Sequence, residues 1–313
     1  MPPSPRIVVV GSLNIDHTLR VDRIPAPGET VTARDSSTRY GGKGANQALA
    51  ASHLGAPVCL IGCIGNDNEG SRYKAHLQKS GIDTQGISCI LDNNTPTGSA
   101  FIAVDASGEN TIIVNPGANH CLTPELIDQQ VALFARSDAA LLQLECPLDA
   151  VQRAAKIARD HDTLIVINPS PWNDAFLEAR IACDILILNE REAASLTGID
   201  PFEPNTLAKP LLETTAAKTL VVTRGARSTL ALDSTGTFFE ILPPKVKTVD
   251  TVGAGDAFAG ALTVALAEGQ TLSDAIHFAN TAGALATQQS GAQIALPTRE
   301  AIEARIACSE RFQ

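Results

Sequence analysis

Asp250-Thr251-Val252-Gly253-Ala254-Gly255-Asp256-Ala257-Phe258 sets two glycines and a carboxylate directly ahead of an alanine-rich run, Ala257 to Ala267. Without Cβ atoms, Gly253 and Gly255 let backbone N–H groups turn toward one point. At a helix start those N–H groups lack intrahelical acceptors and form an anion pocket aided by the helix dipole. A carboxylate inside such a pocket would repel a phosphate if binding were the turn's only task. Asp256 makes sense if it faces an incoming hydroxyl while the amides hold a group being transferred. The bland alternative is a first-turn acid that merely complements the dipole.

Gly41-Gly42-Lys43-Gly44-Ala45-Asn46-Gln47 opens a second helix. Its Gly-Lys pair resembles a Walker loop, but the G-x-x-x-x-G-K-[ST] spacing fails. Lys43 and Asn46 are left as polar groups at a helix start. Gly11-Ser12-Leu13-Asn14-Ile15-Asp16 lacks the dinucleotide fingerprint, which disfavours a dinucleotide-dependent oxidoreductase. Alternation puts Asn14 and Asp16 on one face of an extended segment. An amide beside a carboxylate suits sugar hydroxyls, each of which needs a donor and an acceptor. A plain surface turn is the other reading of this pair. Leu188-Asn189-Glu190-Arg191-Glu192 offers carboxylates of the kind that partner Mg²⁺ beside phosphate. Thr223-Arg224-Gly225-Ala226-Arg227-Ser228 is a glycine turn that could rest a nucleotide.

Positioning these groups requires a scaffold, and the apolar pattern supplies one. Near-continuous apolar runs at Ile7–Val10, Val58–Ile64, Ala139–Leu144, Leu164–Asn168, Ile185–Leu188 and Leu220–Thr223 predict strands covered on both faces. Helices between them are expected to start near Gly44, Glu69, Pro124, Leu148 and Glu190, giving an α/β fold with a mainly parallel sheet. The Asp250–Phe258 turn is expected where a further strand meets its helix. Ligands in such folds bind at the carboxyl edge of the strands. Residues 13–40 and 97–115 break the rhythm as β ribbons: Leu13 to Val21 with Glu29 to Thr38, and Ala100–Asp105 with Asn110–Asn115. They read as a small antiparallel lid or as an edge extension of the sheet. The whole chain, 1–313, is expected to be one domain carrying that lid.

Composition narrows the function classes. Hydrophobic residues make up 44% and charged residues 19%, a globular balance, while aromatics at 4% leave the core to Ala, Leu, Ile and Val. With 24 Lys+Arg against 34 Asp+Glu the net charge is −10, a poor match for nucleic acid or an anionic membrane. Any anion must be held by a local device. No secretory signal is read at the N-terminus, and the charge-free stretch Ala275–Thr298 is too rich in Gly, Thr and Gln for a membrane span. Seven cysteines without metal-ligand spacing are expected to be reduced core thiols of a cytoplasmic protein.

These segments together resemble the ribokinase-like (phosphofructokinase-B type) carbohydrate kinase family, from Ile7 to about Pro297. Gly41–Asn46 is similar to the family's first signature and Asp250–Asp256 to its second. Asn14-Ile15-Asp16, Gln143-Leu144-Glu145 and Asn168-Pro169-Ser170-Pro171 resemble its ribose-specific branch. The resemblance implies a central mainly parallel sheet flanked by helices, a small antiparallel β lid, and ATP-dependent phosphorylation of the O5 hydroxyl of D-ribose. The alternative is a kinase for another small sugar (2-deoxyribose, fructose type) or a nucleoside. A sugar-binding sensor would be expected to lack Asp256 or the glycines, and all stand here.

By resemblance, Asn14, Asp16, Gly42, Lys43, Asn46 and Glu145 hold the sugar and Asp256 is the catalytic base. Gly253, Ala254 and Gly255 supply an anion hole. Asn189, Thr223, Arg224, Gly225, Ala226, Arg227, Ser228, Gly255 and Asn280 line the ATP site, with Glu192 influencing Mg²⁺ and phosphate. A K⁺ site falls on Asp250, Val252, Ala286, Gln289, Gly291 and Ala295, and a homodimer through the lid strands is implied. Three positions depart from the family pattern. Ala295 replaces a usual Ser in the cation loop, Ser228 a usual Gly in the nucleotide turn, and Asn280 a usual His near the adenine.

Overall fold

In the computed structural model, residues 4–197, 212 and 214–310 are described. The expected apolar runs all become strands of one nine-stranded sheet. In chain order its members are β1 (Ile7–Val10), β4 (Val58–Gly65), β5 (Ile87–Ile90), β8 (Ala139–Gln143), β9 (Leu164–Asn168), β10 (Cys183–Asn189), β11 (Ala217–Thr223), β12 (Thr229–Asp233) and β13 (Phe238–Ile241). Across the sheet the order is β13-β12-β11-β10-β9-β8-β1-β4-β5, and every pairing from β11 to β5 is parallel. Only the β11–β12 and β12–β13 pairings at one edge are antiparallel.

Alternate residues of the parallel strands feed different cores. Val9, Leu141, Val166 and Ile187 pack with the helices of one face, while Val10, Leu142, Ile167 and Leu188 pack on the other. This two-sided covering is why the strands read as unbroken apolar runs rather than as alternation. One face is covered by α1 (Lys43–His53), α8 (Ala254–Ala267) and α9 (Leu272–Ala286). The other takes α5 (Leu148–Asp160). Four cysteines (Cys59, Cys63, Cys146 and Cys183) are buried, but Cys121 is half-buried and Cys89 and Cys308 are exposed, so the thiols are not uniformly core.

A second sheet of four strands stands off the body in the order β3 (Asp35–Gly41), β2 (Asn14–Arg20), β6 (Gly98–Val104) and β7 (Asn110–Asn115). Its β2–β3 and β6–β7 hairpins are antiparallel as expected, while the central β2–β6 pair is parallel. Both central strands run outward from the body, and each returns through its own hairpin partner. The strand expected over residues 29–38 falls at Asp35–Gly41. Asn14 pairs with Gly41 and Arg20 with Asp35, so the ladder ends at Asp35, with Arg34 N–H donating to Arg20 O at 2.7 Å just beyond it. The strand expected before the Gly253 turn does not form. Pro243 and Pro244 offer no N–H to a ladder, and residues 242–251 cross the surface without one.

The junction of α1 and α8 decides the site's geometry. A Cβ on Gly260 would lie 2.7 Å from Ala50 Cβ and 3.0 Å from the Gln47 carbonyl oxygen, so the two helices meet nearly backbone to backbone. Gly260 sits one turn beyond Asp256, and Gln47 and Ala50 are one turn apart on α1, so this contact sets the head of α1 beside Asp256. Gly260→Ala gains about 1 kcal/mol of helix propensity but meets an overpacking cost of about 1–3 kcal/mol. The expected outcome is a net loss of up to about 2 kcal/mol, read as a lower midpoint in urea denaturation with an unchanged slope.

Candidate active site

The groups singled out above fall at the carboxyl ends of β1, β8, β10 and β11, at the starts of α1 and α8 with the segment leading into α8, and along α9 with the loop that follows it. Asn14 and Asp16 start β2 just after β1, and Glu145 follows β8. Gly42 caps α1 with φ +88°, and a side chain there would press on Asn14 N at 2.8 Å and Ser12 O at 2.9 Å. Glu145 is held at this helix start, where it accepts from the Lys43 backbone N–H at 2.9 Å and from the Ser12 hydroxyl. Asn119 donates to Asn14 Oδ1 at 2.8 Å and also pairs with both backbone groups of Leu13, which fixes the base of β2.

Asp256 lies in the first turn of α8 and is buried. Its Oδ2 accepts from Asn46 Nδ2 at 2.9 Å and its Oδ1 from Gln47 Nε2 at 3.0 Å. The preceding N-cap, Gly253, is left-handed at φ +81° with no side-chain cap. A Cβ on Gly255 would meet nothing within 4 Å, so this first turn opens on free space. Its Ala254 N–H donates to Thr251 O at 3.2 Å, while the Gly255 and Asp256 N–H groups, lacking intrahelical acceptors, are available to an anion there. Behind the turn, Gly253 packs on Ala292.

Three carboxylates therefore share one recess, and its electrostatics follow. Burial pushes the Asp16 carboxyl up to about 7, with the charges of Glu145 and Asp256 adding to the effect. Burial alone would lower the Lys43 ammonium, yet Asp256, Glu145 and Glu192 together hold it above its ordinary value. Lys43 thus links the sugar-type cluster to a second cluster at the ends of β10 and β11.

In that second cluster, Asn189 and Glu192 cap α7 (Glu190–Thr197) reciprocally. Asn189 N–H donates to Glu192 Oε2 at 2.8 Å and Glu192 N–H to Asn189 Oδ1 at 2.9 Å. Thr223 lies beside Asn189 in register, and Gly225 turns at φ +61° into open space. Several side chains expected to line a nucleotide are committed elsewhere. Arg224 donates through Nε to Ser228 O at 2.7 Å and also reaches the Ser228 hydroxyl and Glu240. Arg227 bonds Glu190. Asn280 accepts from Thr229 Oγ1 at 2.6 Å and donates to Ile241 O at 3.0 Å.

The loop after α9 folds back on Asp250, whose Oδ1 accepts from Val252 N at 3.0 Å and whose Oδ2 accepts from Gly291 N at 3.1 Å and Ser290 Oγ at 3.1 Å. Gly291 takes φ +102° and has the Arg39 guanidinium of β3 against it, so the small sheet touches this loop. Ala286 ends α9, and Ala295 N–H donates to Gly291 O at 3.1 Å. Among the described residues no three His, Cys, Asp or Glu side chains cluster as a metal cage, and a Mg²⁺ ion held through phosphate, water and one or two carboxylates needs none.

Sequence reasoning missed Ser12, Gln47, Asn119, Tyr73 and Gln293 as parts of this site, the last two joined to it by Gln293 Nε2, which donates to Tyr73 Oη at 2.7 Å and to Asn46 Oδ1 at 3.0 Å. A signal existed for Gln47 and for its neighbour Gln143: Gln143 ends the fully buried apolar run Ala139–Leu142, and Gln47 with Asn46 heads the buried apolar run Ala48–Ala51.

The chain matches the family model "pfkB family carbohydrate kinase" over residues 4–299. It is 38% identical to the ribokinase of Haemophilus influenzae, covering 94% of this chain and 96% of that one. With the ribokinase of Bacillus subtilis it shares 36% identity over 95% and 98% of the two chains. The crystal structure of ribokinase from Thermotoga maritima superposes with a TM-score of 0.87 at 35% identity, over 97% of this chain and 99% of that one. The Arabidopsis thaliana ribokinase complexed with ribose and ATP gives a TM-score of 0.88 at 28% identity, over 97% and 99%.

Proposed function

The chain belongs to the pfkB family of carbohydrate kinases, and from that premise we propose that it phosphorylates D-ribose with ATP, transferring the γ-phosphoryl group to O5. The observation that carries this reading is Asp256, a buried carboxylate held on both oxygens one residue past an open glycine turn. Asp256 accepts the O5 proton as the O5–Pγ bond forms and the bond from Pγ to the bridging oxygen breaks, releasing ADP. Asn14, Asp16, Gly42, Lys43, Asn46 and Glu145 hold the sugar hydroxyls, and the Gly253–Gly255 amides receive the charge on the transferring group. A loose transition state needs little early proton removal and relies on positioning and electrostatics. Closure of the small sheet over the sugar would exclude water and limit wasteful ATP hydrolysis.

In this reading ATP rests on Asn189, the 223–228 turn and Asn280, and Mg²⁺ would be held on the Glu192 side of the site, where it would neutralise phosphate charge. K⁺ would be held by the oxygens of residues 250, 252, 286, 289, 291 and 295, directly behind Gly253. Ala295 brings only its backbone oxygen to that loop. The proposal extends to a cytoplasmic homodimer. His17, Phe101 and Ile113 are cross-strand neighbours on one face of the small sheet, Phe101 and Ile113 being 49% and 67% exposed, and this apolar strip suits a second copy.

A nucleoside acceptor would need a free stacking ring, and of the two lid rings Tyr40 is stacked on Tyr73 at 4.4 Å and Phe101 on His17 at 5.2 Å. A coupled ADP-release assay over pentoses, hexoses and nucleosides, with and without K⁺, tests the reading. The expected result is the highest kcat/KM on D-ribose, strict dependence on Mg²⁺ and a higher rate with K⁺. Highest activity on a nucleoside or a hexose would overturn the substrate assignment.

A further inference from the structure

We propose that two converging amide chains aim the Asp256 carboxylate, making Gln47 and Gln293 positioning residues for phosphoryl transfer. The proposal rests on the reading of Asp256 as the proton acceptor. One chain runs from β8 through α1. Gln143 Nε2 donates to Leu141 O at 3.3 Å and to Gln47 Oε1 at 2.7 Å, and Gln47 Nε2 donates to Asp256 Oδ1 at 3.0 Å. The other runs from the loop after α9. Tyr73 Oη donates to Gly41 O at 2.5 Å, and Gln293 Nε2 donates to Tyr73 Oη at 2.7 Å and to Asn46 Oδ1 at 3.0 Å. Asn46 Nδ2 then donates to Asp256 Oδ2 at 2.9 Å.

The direction of each chain is fixed at its far end. A backbone carbonyl can only accept, so Leu141 O dictates that Gln143 presents its amino group, and Gly41 O dictates that Tyr73 gives its proton away. Gln47 and Asn46 must then receive on their carbonyl oxygens and turn their amino groups toward Asp256. An amide flipped the other way would set a carbonyl oxygen against a carboxylate. Each carboxylate oxygen keeps one lone pair free for the sugar hydroxyl.

A cost is left at the outer ends. Gln143 Oε1 and Gln293 Oε1 are both buried without a donor. Burying an unpaired carbonyl is unfavourable, and in both outer glutamines the amino group is the half kept satisfied. Gln293 also lies two residues beyond Gly291, so this chain ties the loop that embraces Asp250 to the reacting carboxylate.

Steady-state kinetics of the full-length protein with ribose and ATP test the proposal. Gln47→Met is expected to lower kcat by about 10–30-fold and Gln293→Met by about fivefold, with ribose KM changed less than about threefold. In an Asp256→Asn background, Gln47→Met is expected to cost less than about twofold, because no carboxylate remains to be aimed. A folded Gln47→Met protein with parental kcat overturns the proposal, as does an equal loss in both backgrounds. If Gln47→Met does not fold, the half-buried loop substitution Gln293→Met decides, and an unchanged kcat there overturns the proposal. Parental turnover in Asp256→Asn alone removes the base reading and the proposal with it, whereas parental turnover in the glutamine variants alone removes only the latter.

Discussion

Asp256→Asn is expected to lower kcat by about 10²–10⁴-fold, the range that a positioned general base contributes. Ribose affinity should change less than about threefold, because the sugar keeps Asn14, Asp16, Lys43, Asn46 and Glu145 as partners. The replacement is isosteric, so the contact of α8 with α1 at Gly260 survives. The new amide can still accept from one of Asn46 and Gln47, but its amino group opposes the other, which donates at 2.9–3.0 Å in the parent. That mismatch costs about 1–3 kcal/mol of stability, which lowers the melting temperature but does not unfold the protein. ATP affinity should hold or rise slightly, since a negative charge beside the anion-binding turn is removed. Calorimetry for the two ligands and a coupled ADP assay for turnover separate these terms. A variant with kcat within tenfold of the parent would remove Asp256 from the role of proton acceptor.

How much of this site could be read from the sequence depended on whether a residue's task is local. Asp256 and Gly253 were readable because a glycine turn before an apolar helix has a consequence within one turn of chain. The parallel strands were readable because burial on both faces leaves no polar residue to interrupt them, as in the fully buried Val58–Gly65. The edge strand β13 was missed, since the exposed alternation of Phe238–Ile241 looks like surface, and β12, though buried, was missed with it. β3 was displaced because Asp-Ser-Ser-Thr-Arg carries almost no apolar pattern, and its place is set by pairing with β2. Gln47 was passed over because its partners are 96 and 209 positions away in the chain. No spacing rule reaches that far. On the nucleotide side, Arg224 and Asn280 look like free ligand groups in sequence, and only the structure shows the partners they take on the antiparallel edge, Glu240 and the Ile241 carbonyl.

Asp16→Asn is expected to weaken ribose binding while strengthening the empty protein, and the pH dependence distinguishes the two effects. Asp16 titrates near 3.8 when free of the fold and at about 7 inside it, through burial and the neighbouring Glu145 and Asp256. Between those values the folded chain keeps a proton that the unfolded chain has lost. Stability from this group is therefore fully present below about pH 4 and is lost as pH rises through about 7. The full swing is at most about 4 kcal/mol, and water reaching the open recess trims it to about 1–3 kcal/mol. An asparagine carries no charge at any pH, so the ligand-free variant should match the parent near pH 4 and exceed it by about 1–3 kcal/mol at pH 8. Sugar binding moves the opposite way. The ionised carboxylate can accept from two hydroxyls, and replacing half of it by an amino group forfeits at least one charge-assisted hydrogen bond. Ribose KM should rise about 10²-fold, with kcat changed only a few-fold. In the parent, ribose KM should climb as pH falls below about 7, because a proton on Asp16 blocks one acceptor. In the variant that climb should vanish. Denaturation midpoints of ligand-free protein at pH 4.5 and 8, with ribose KM over the same range, test both halves. A variant whose stability tracks the parent's across that range would show that Asp16 is not the strained carboxylate of the recess. An unchanged ribose KM would show that it does not hold the sugar.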